Sequence, residues 1–567
     1  ETGDNDVLFL MDGEEFFEEL RMRFEEVRQA APDTLTYIRL AYWMIEETTT
    51  LGDHGYFEDP GHRLLSYIDR VIRAGHNVDI IVWCPAKQHR HGMGAEMAEV
   101  NSAFGRAVRA VDQAAAAAGP QVGRARVFLE AYEGDVGASN HQKIAIFSIA
   151  GVRTVYVGGL NLSNHYFAPA DHSGGMHWHD AAVRLRGPAT DDVEKEWMRR
   201  WARTSEVSGY WGWSAWGWGS EVIARDFSYQ ASQTVRTRAL RVPENKTRQP
   251  PQAAARQVKI ALTRSVGSTR YRHIRDAIIE RILAANQYVY FENYQFADPE
   301  LVQAIIRRHT MCRLAGVALR VVILVPMQGG ACAYMTRRAW LHMLLSFRTL
   351  ANAPMWRTLW YDLGGGEVQV QAAACALAQV NDTYDAADPW GVTRRWIDGD
   401  DFTYRLAAGG GNVRVPLDKI TRVDGDFHFY SAYNMGGGDI YKHAKIAIFD
   451  DRYMACGTSN WSYRSMQYDG EISAIIDSPA IAQGALRRLL DHFNPPRGGL
   501  APLTPANIQA EAVANLRAWD GHIPVRLAAL GGAGWILVPM NHFSIHPNIA
   551  LSAAKPDIKE APNFTWF

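Results

Sequence analysis

A chain of 567 residues, 47% apolar and 21% charged, is globular in composition and too long for one ordinary core. Its formal charge of −2 provides no global basic field to attract nucleic acid, and no window approaches the roughly 18–20 unbroken apolar residues of a membrane-spanning helix. Five cysteines, Cys84, Cys312, Cys332, Cys375 and Cys456, are few, odd in number and without metal-ligand spacing, and leave the compartment open.

The sequence begins at Glu1 rather than Met, which reads as a processed or trimmed chain, and a secreted or periplasmic setting is favoured over the cytoplasm. Phe16, Phe17, Leu20, Phe24 and Val27 recur at helical spacing and predict a helix from Asp12 to about Ala30, with Asp12 and Glu15 as a capping box. Thr36 to Ile45 is aromatic and β-branched and reads as a buried strand. A helix over Leu64–Ala74 then leads into a strand over Val78–Trp83, and strand, helix and strand in this order predict a βαβ unit in a largely parallel sheet. Tyr210 to Ser220 sets Trp211, Trp213, Trp216 and Trp218 among glycines, either as a loop for lipid head groups or as a loop packed under a domain junction.

Arg241 to Gln257 is Pro-rich and aperiodic, and marks the boundary. We expect a first domain over 1–245, a linker over 246–257 and a second domain over 258–494, with a C-terminal extension over 495–567 packed on the second domain. In the second half the pattern restarts, with strands at Val258–Leu262, Tyr288–Glu292 and Leu319–Val325 and helices at Ile274–Ala285 and Val302–Arg308. Residues near 364–438, rich in Gly and Asp, read as an insertion.

Each half also reaches the same seven-residue pattern. His141 to Phe147 (HQKIAIF) is followed by Gly158, Gly159 and Asn161, and His443 to Phe449 (HAKIAIF) by Gly457, Thr458, Ser459 and Asn460. Two near-copies 302 residues apart (443 minus 141) imply an internal duplication. In a strand, residues i and i+2 share a face, so His141 projects with Lys143, and His443 with Lys445. An imidazole beside an ammonium is a poor core choice and a sensible site for a phosphate, with the glycine turns letting backbone and asparagine approach an anion.

These residues resemble the phospholipase D superfamily, whose signature is His-x-Lys-x4-Asp followed by a Gly-Gly-x-Asn or Gly-Ser-x-Asn turn. The second copy fits throughout, with His443, Lys445, Asp450, Gly457, Ser459 and Asn460, then Arg464, Ser465 and Glu471. The first fits at His141, Lys143, Gly158, Gly159, Asn161 and Ser163, but Ser148 stands where the family has Asp. Tyr288 to Phe296 (YVYFENYQF) is similar to the aromatic strand of the phospholipase D enzymes, and Trp178-His179-Asp180 to a segment that follows the first motif in many members.

The resemblance implies an α/β fold of two phospholipase D-like domains, each a mixed sheet flanked by helices, paired as an intrachain pseudo-dimer. It implies His141 as nucleophile, forming a phosphohistidine, and His443 as general acid, with Lys143, Lys445, Asn161 and Asn460 on the non-bridging oxygens and Ser163 and Ser462 as further donors. Asp180 and Glu471 are candidates to orient the two rings, with their assignment open, and Asp450 is expected to brace the turn after its strand. On that view Ser148→Asp should be tolerated. No metal or other cofactor is required for this chemistry. His172, His177 and His179, with Asp171 and Asp180, could form a metal cluster, but their place in the loop that follows the first motif in the family implies substrate-rim or structural roles instead.

The expected activity is that of a phospholipase D, releasing head groups from glycerophospholipids at a membrane or micelle surface to leave phosphatidic acid, with transphosphatidylation to alcohols. A monomer would suffice. A nuclease of the same superfamily, a phosphatidyltransferase and a catalytically dead binding module are the alternatives.

Overall fold

The computed structural model describes residues 3–57, 59–84, 93–119, 122–130, 139–168, 172, 178–207, 257–266, 269–296, 298–326, 344–345, 354–381, 401–416, 419–434, 440–493, 502–520 and 535–539. Trp211, Trp213, Trp216, Trp218, Asp171, His177 and linker residues 246–256 lie outside them. The chain is a mixed α/β protein in two compact units. The first comprises Glu1–Ile274, Met454–Ser459 and Gln467–Ile481, and the second Arg275–Tyr453, Asn460–Met466 and Ala482–Phe567.

The first unit carries β1 (Asp6–Met11), α1 (Asp12–Gln29), β2 (Tyr37–Tyr42), α2 (Leu64–Arg73), β3 (Asn77–Trp83), α3 (Met93–Ala116) and β4 (Ala125–Glu130). It continues through β5 (Ile144–Ile149), β6 (Val152–Gly158), β7 (Trp178–His179), β8 (Ala181–Arg186), α4 (Ala189–Val207), β9 (Gln257–Val266) and β10 (Thr269–Arg272). Its seven-stranded sheet has the order β1-β8-β6-β5-β2-β3-β4. Only β2, β3 and β4 run parallel, so the sheet is mixed rather than largely parallel. The reason is local: the βαβ rule governs crossovers, whereas Ala150 and Gly151, both at positive φ, let β5 turn straight back into β6.

β5 is apolar on both faces because helices cover both. Phe24 of α1 meets Phe147 edge-on at 5.3 Å, and Trp197 of α4, stacked on Trp201 at 5.0 Å, donates its indole N–H to the Leu40 carbonyl. Ile144, Ala145, Ile146 and Phe147 are all buried, each large side chain adding about 1.5–3 kcal/mol of hydrophobic stabilisation. The rigid strand thereby carries the histidine segment at its N-terminal end.

In the second unit α5 (His273–Ala284) crosses the unit boundary and leads to β11 (Tyr288–Glu292), α6 (Pro299–Leu314) and β12 (Arg320–Leu324). β11 and β12 are parallel, as in the first half. The region expected as an insertion holds β14 (Glu367–Gln371) and β18 (Ile420–Gly425), which flank β13 (Trp356–Asp362), a strand from just before it, in one sheet, and a second sheet of β15 (Cys375–Asn381), β16 (Asp401–Leu406) and β17 (Val413–Pro416). Its last part is not peripheral: β19 (His428–Asn434) pairs parallel with β12 inside the main sheet of the unit. β20 (Tyr441–Lys442) and β21 (Ile446–Phe449) follow, and β21 pairs antiparallel with β11. From the C-terminal region, β24 (Trp535–Pro539) closes the edge on β19.

Between them, β22 (Tyr453–Gly457) and β23 (Glu471–Asp477) return most of their residues to the first unit. β23 pairs with β9 over its whole length, so residues 257–274 group with the first half by contact although they follow the sequence boundary. Among the described residues no helix is long and apolar enough to cross a membrane.

Candidate active site

His141 does not lie within the β5 ladder. Residues 141–143 form the lead-in to it, and the backbone there is zipped to the segment before β23. Ser139 N–H donates to Asp469 Oδ1 (2.6 Å), Gly470 N–H to the Ser139 carbonyl (2.9 Å) and His141 N–H to the Gly470 carbonyl (2.8 Å). This parallel bridge brings Glu471 against the ring: His141 Nδ1 lies 3.0 and 3.2 Å from the two Glu471 carboxylate oxygens and 3.1 Å from the Thr458 carbonyl. Both partners are acceptors, so Nδ1 carries the proton and, in the neutral ring, Nε2 carries the lone pair. Glu471 is fully buried and is itself held by the Thr458 hydroxyl, which donates to Oε2.

A second layer fixes this geometry. Gln142 donates to Glu196 (3.0 Å) and accepts from Arg200 (3.0 Å), and Arg200 also holds Glu130, which accepts from Asn140 (2.7 Å). Burial pushes the Glu196 carboxyl up, but hydrogen bonds from Arg199 and Gln142 outweigh it and hold the group ionised, below its ordinary range. Lys143 is buried, and its Nζ donates to the His141 carbonyl at 2.8 Å, 5.9 Å from the centre of the Trp43 ring. Trp43 also meets the His141 ring edge-on at 5.8 Å and stacks on Trp83 at 5.6 Å, so an aromatic wall flanks the motif.

Asn161 is fully buried; its Oδ1 accepts from Met44 N–H (3.2 Å) and its Nδ2 donates to the Tyr166 hydroxyl (2.7 Å). It therefore anchors the chain beside Trp43. Ser163 Oγ accepts from His165 N–H. The glycine turn serves close packing: a Cβ at Gly159 would stand 2.0 Å from Asp180 Oδ1, and one at Gly457 would stand 2.0 Å from Ser473 Oγ. Asp180 is buried, and its Oδ1 accepts from Ala181 N–H; of the two carboxylates open in the sequence, it is Glu471 that meets His141. Asp12 does not cap α1 as expected. Glu15 bonds back to Met11 N–H at 3.0 Å, while the Asp12 carboxylate turns to His179, 2.7 Å away, because an ionised group buried this deeply needs a charged partner.

In the second unit His443 is buried between Tyr441, stacked with it at 6.1 Å, and Tyr294, at 5.8 Å. Lys445 is buried and donates to the His443 carbonyl. Here too the two polar residues precede their strand. Asn460 is half-buried, next to Trp461, whose N–H donates to Asn293 Oδ1 at 3.1 Å, and Ser462 Oγ accepts from Ser465 N–H at 3.2 Å. The Asp450 carboxylate accepts from three successive backbone N–H groups, Asn286, Gln287 and Tyr288, at 2.6–2.9 Å, and so braces the start of β11.

Sequence reasoning missed Trp43, Thr458, Gln142, Tyr294 and Tyr441. A signal existed for two of them: Trp43 and Tyr294 lie just past β2 and β11, the corresponding strands of the repeat, each paired to its motif strand. Glu471 and Thr458 gave no local sign of serving the first histidine.

Residues 407–492 match the model of a family described as cardiolipin synthase, PLD-like domain. That span includes His443, Lys445, Asp450, Gly457, Asn460 and Glu471. Among solved structures, a phosphatidylserine synthase from Haemophilus influenzae Rd KW20 is similar at 12% identity over 85% of each chain, with a TM-score of 0.43. A polyphosphate kinase from Porphyromonas gingivalis is similar at 9% identity over 85% of this chain and 46% of its own, with a TM-score of 0.36. Nuc from Salmonella typhimurium, a phospholipase D family member, is similar at 12% identity over 42% of this chain and 93% of its own, with a TM-score of 0.21. No curated protein matches the sequence.

Proposed function

We propose, from the match of residues 407–492 to a PLD-like family model and the His-x-Lys motif repeated in both halves, that this is an enzyme of phosphodiester chemistry, and specifically a phospholipase D that transfers a phosphatidyl group to water or an alcohol. The observation that carries this reading is the His141 ring, whose Nδ1–H is held by Glu471 and the Thr458 carbonyl. A neutral imidazole with that tautomer presents the Nε2 lone pair to phosphorus, and the carboxylate behind it stabilises the ring as positive charge develops on phosphorylation.

In the proposed cycle His141 Nε2 attacks phosphorus and the bond to the head-group oxygen breaks, leaving a phosphohistidine. His443 gives its proton to the departing alkoxide, then takes one from the water or alcohol that attacks the phosphohistidine and releases product. Lys143, Lys445, Asn161 and Asn460 carry the charge of the non-bridging oxygens, Ser163 and Ser462 are further donors, and Asp180 is a supporting carboxylate. The half-buried aromatics Trp43, Tyr294 and Tyr441 offer faces for a cationic or apolar substrate group. No metal is needed for these steps, and one chain supplies every group they use.

The description of the matching family favours a second reading, phosphatidyl transfer to a lipid alcohol. One assay separates them. The protein is incubated with phosphatidylcholine vesicles and a primary alcohol, with phosphatidylglycerol vesicles, and with single- and double-stranded DNA. Choline release with a phosphatidyl-alcohol product supports the first reading. Cardiolipin from phosphatidylglycerol without choline release replaces it with the second, and DNA cleavage without lipid turnover overturns both.

A further inference from the structure

We propose that Asp12, His172 and His179 of the first unit form a buried site for a divalent transition-metal ion of the zinc class, with a structural role and no part in the phosphodiester chemistry.

Three separate segments converge here: the first residue of α1, the loop at residue 172, and β7. Asp12 Oδ1 is 2.7 Å from His179 Nδ1, and Asp12 Oδ2 is 3.4 Å from His172 Nε2. The three donor atoms lie within 4.8 Å of one another, and the side chains are 1%, 0% and 0% exposed. Two imidazoles and one carboxylate suit a zinc-class ion with a water in the fourth position, whereas calcium and magnesium take oxygen ligands almost alone. Metal–ligand bonds of about 2.0–2.1 Å in a tetrahedron put donors about 3.3–3.4 Å apart. His172 Nε2 stands at that spacing from Asp12 Oδ2. His179 Nδ1 is at hydrogen-bond distance from the other oxygen, Oδ1, so a cation here would lie between the imidazoles on the carboxylate, with the His179–Oδ1 contact opening as the shared proton leaves to solvent.

Two further observations support the site. Six described non-glycine residues have positive φ, and two of them are Asp12 (64°) and His172 (48°), so the backbone is held in a costly conformation at two of the three donors. The site is also continuous with a residue the proposed chemistry uses: Asp12 N–H donates to the Asp180 carbonyl (2.9 Å), and Asp180 N–H reaches Asp12 Oδ1 (3.3 Å). A cation on Asp12 would therefore pin β7 and the Asp180 backbone to the start of α1. The bland alternative is a buried ion pair in which one imidazole is protonated.

The test loads the full chain with Zn²⁺ or Co²⁺, removes loosely held metal with a weak chelator, and measures bound metal by mass spectrometry and the visible absorption of Co²⁺. The wild type should retain about one equivalent, with the intense bands of tetrahedral Co²⁺ and a higher melting temperature than the chelator-stripped protein. His172→Ala and His179→Ala should each retain at least tenfold less. Wild-type protein that retains no metal and shows no such bands overturns the proposal in favour of the ion pair. So does metal retention unchanged in both folded variants.

Discussion

In both copies of the motif the lysine Nζ folds back onto the carbonyl of the histidine two residues earlier, Lys143 on His141 and Lys445 on His443. Beyond that lock the copies diverge. His141 is held through Nδ1 by a buried carboxylate and a carbonyl, both from the stretch after the second motif, while His443 sits between two tyrosine rings. The hairpins differ too. The first positive φ comes nine residues after His141 (150 minus 141) but seven after His443 (450 minus 443). Asp450 thus lies in the turn itself, where its carboxylate collects three N–H groups, whereas Ser148 is still in the strand, paired with Tyr37 and Arg153, and donates to the Leu35 carbonyl at 2.6 Å. The two copies share the frame of strand and turn and differ in their surroundings. The serine is not a damaged aspartate; it occupies a position with the opposite hydrogen-bond demand.

The sharpest break in that comparison is at the histidines. His141→Ala should lower kcat by about 10⁴-fold or more and abolish any phosphoenzyme trapped by acid quench. His443→Ala should still form it from a substrate with a good leaving group. A phosphoenzyme that survives the first change and vanishes with the second exchanges their roles.

Glu471→Gln is expected to cost about 10²–10⁴-fold in kcat, since a glutamine amide can donate to Nδ1 and favour the unproductive tautomer. A lowered melting temperature with unchanged kcat and pH–rate profile would reduce Glu471 to a structural role.

Ser148→Asp, which the motif alone marks as harmless, should instead destabilise by about 2 kcal/mol or more, because a carboxylate would face the Leu35 carbonyl at a fully buried position. Asp450→Ala should cost about 1–2 kcal/mol through its three orphaned N–H groups, some of them near solvent. Urea unfolding of the two variants measures the difference.

The smallest effect contrasts two buried aspartates. Burial pushes both carboxyls up; at Asp12 the neighbouring His179 and His172 outweigh it and hold the group well below its ordinary value of 3.8. At Asp298, which caps α6 through Glu300 and Leu301 N–H, burial outweighs the backbone hydrogen bonds and raises the carboxyl to about 7. The folded state therefore binds more protons than the unfolded state between about pH 4 and 7. This contribution to stability is complete below pH 4 and is lost as pH rises through 7. Asp298→Asn, which keeps the cap, should flatten that slope and match or exceed wild-type stability at pH 8. An unchanged slope in a melting series across pH 4–8 removes Asp298 as its source.

Much of this was legible from one sequence for a physical reason: strands and amphipathic helices are written in residues two to four apart, and a duplicated pattern calibrates itself. The helix over Asp12–Gln29, the strand over Tyr288–Glu292 and the two His-Lys pairs all came from such short-range signals. The mixed direction of the first sheet, the place of β19 in the core and the true position of Ser148 did not, because each depends on which strand lies beside which. The same holds for the partner of His141. Glu471 is 330 residues away, and nothing in its neighbours distinguishes it from Asp180; only the bridge between Asn140 and Gly470 decides between them. Asp12, read from sequence as a helix cap, became the partner of His172 and His179 once β7 was laid against the start of α1. Sequence by itself determined which residues could do chemistry, since that is set by side-chain type and local alternation. Tertiary structure alone decided which of them face one another, since burying a carboxylate or an imidazole requires a partner that no local pattern names.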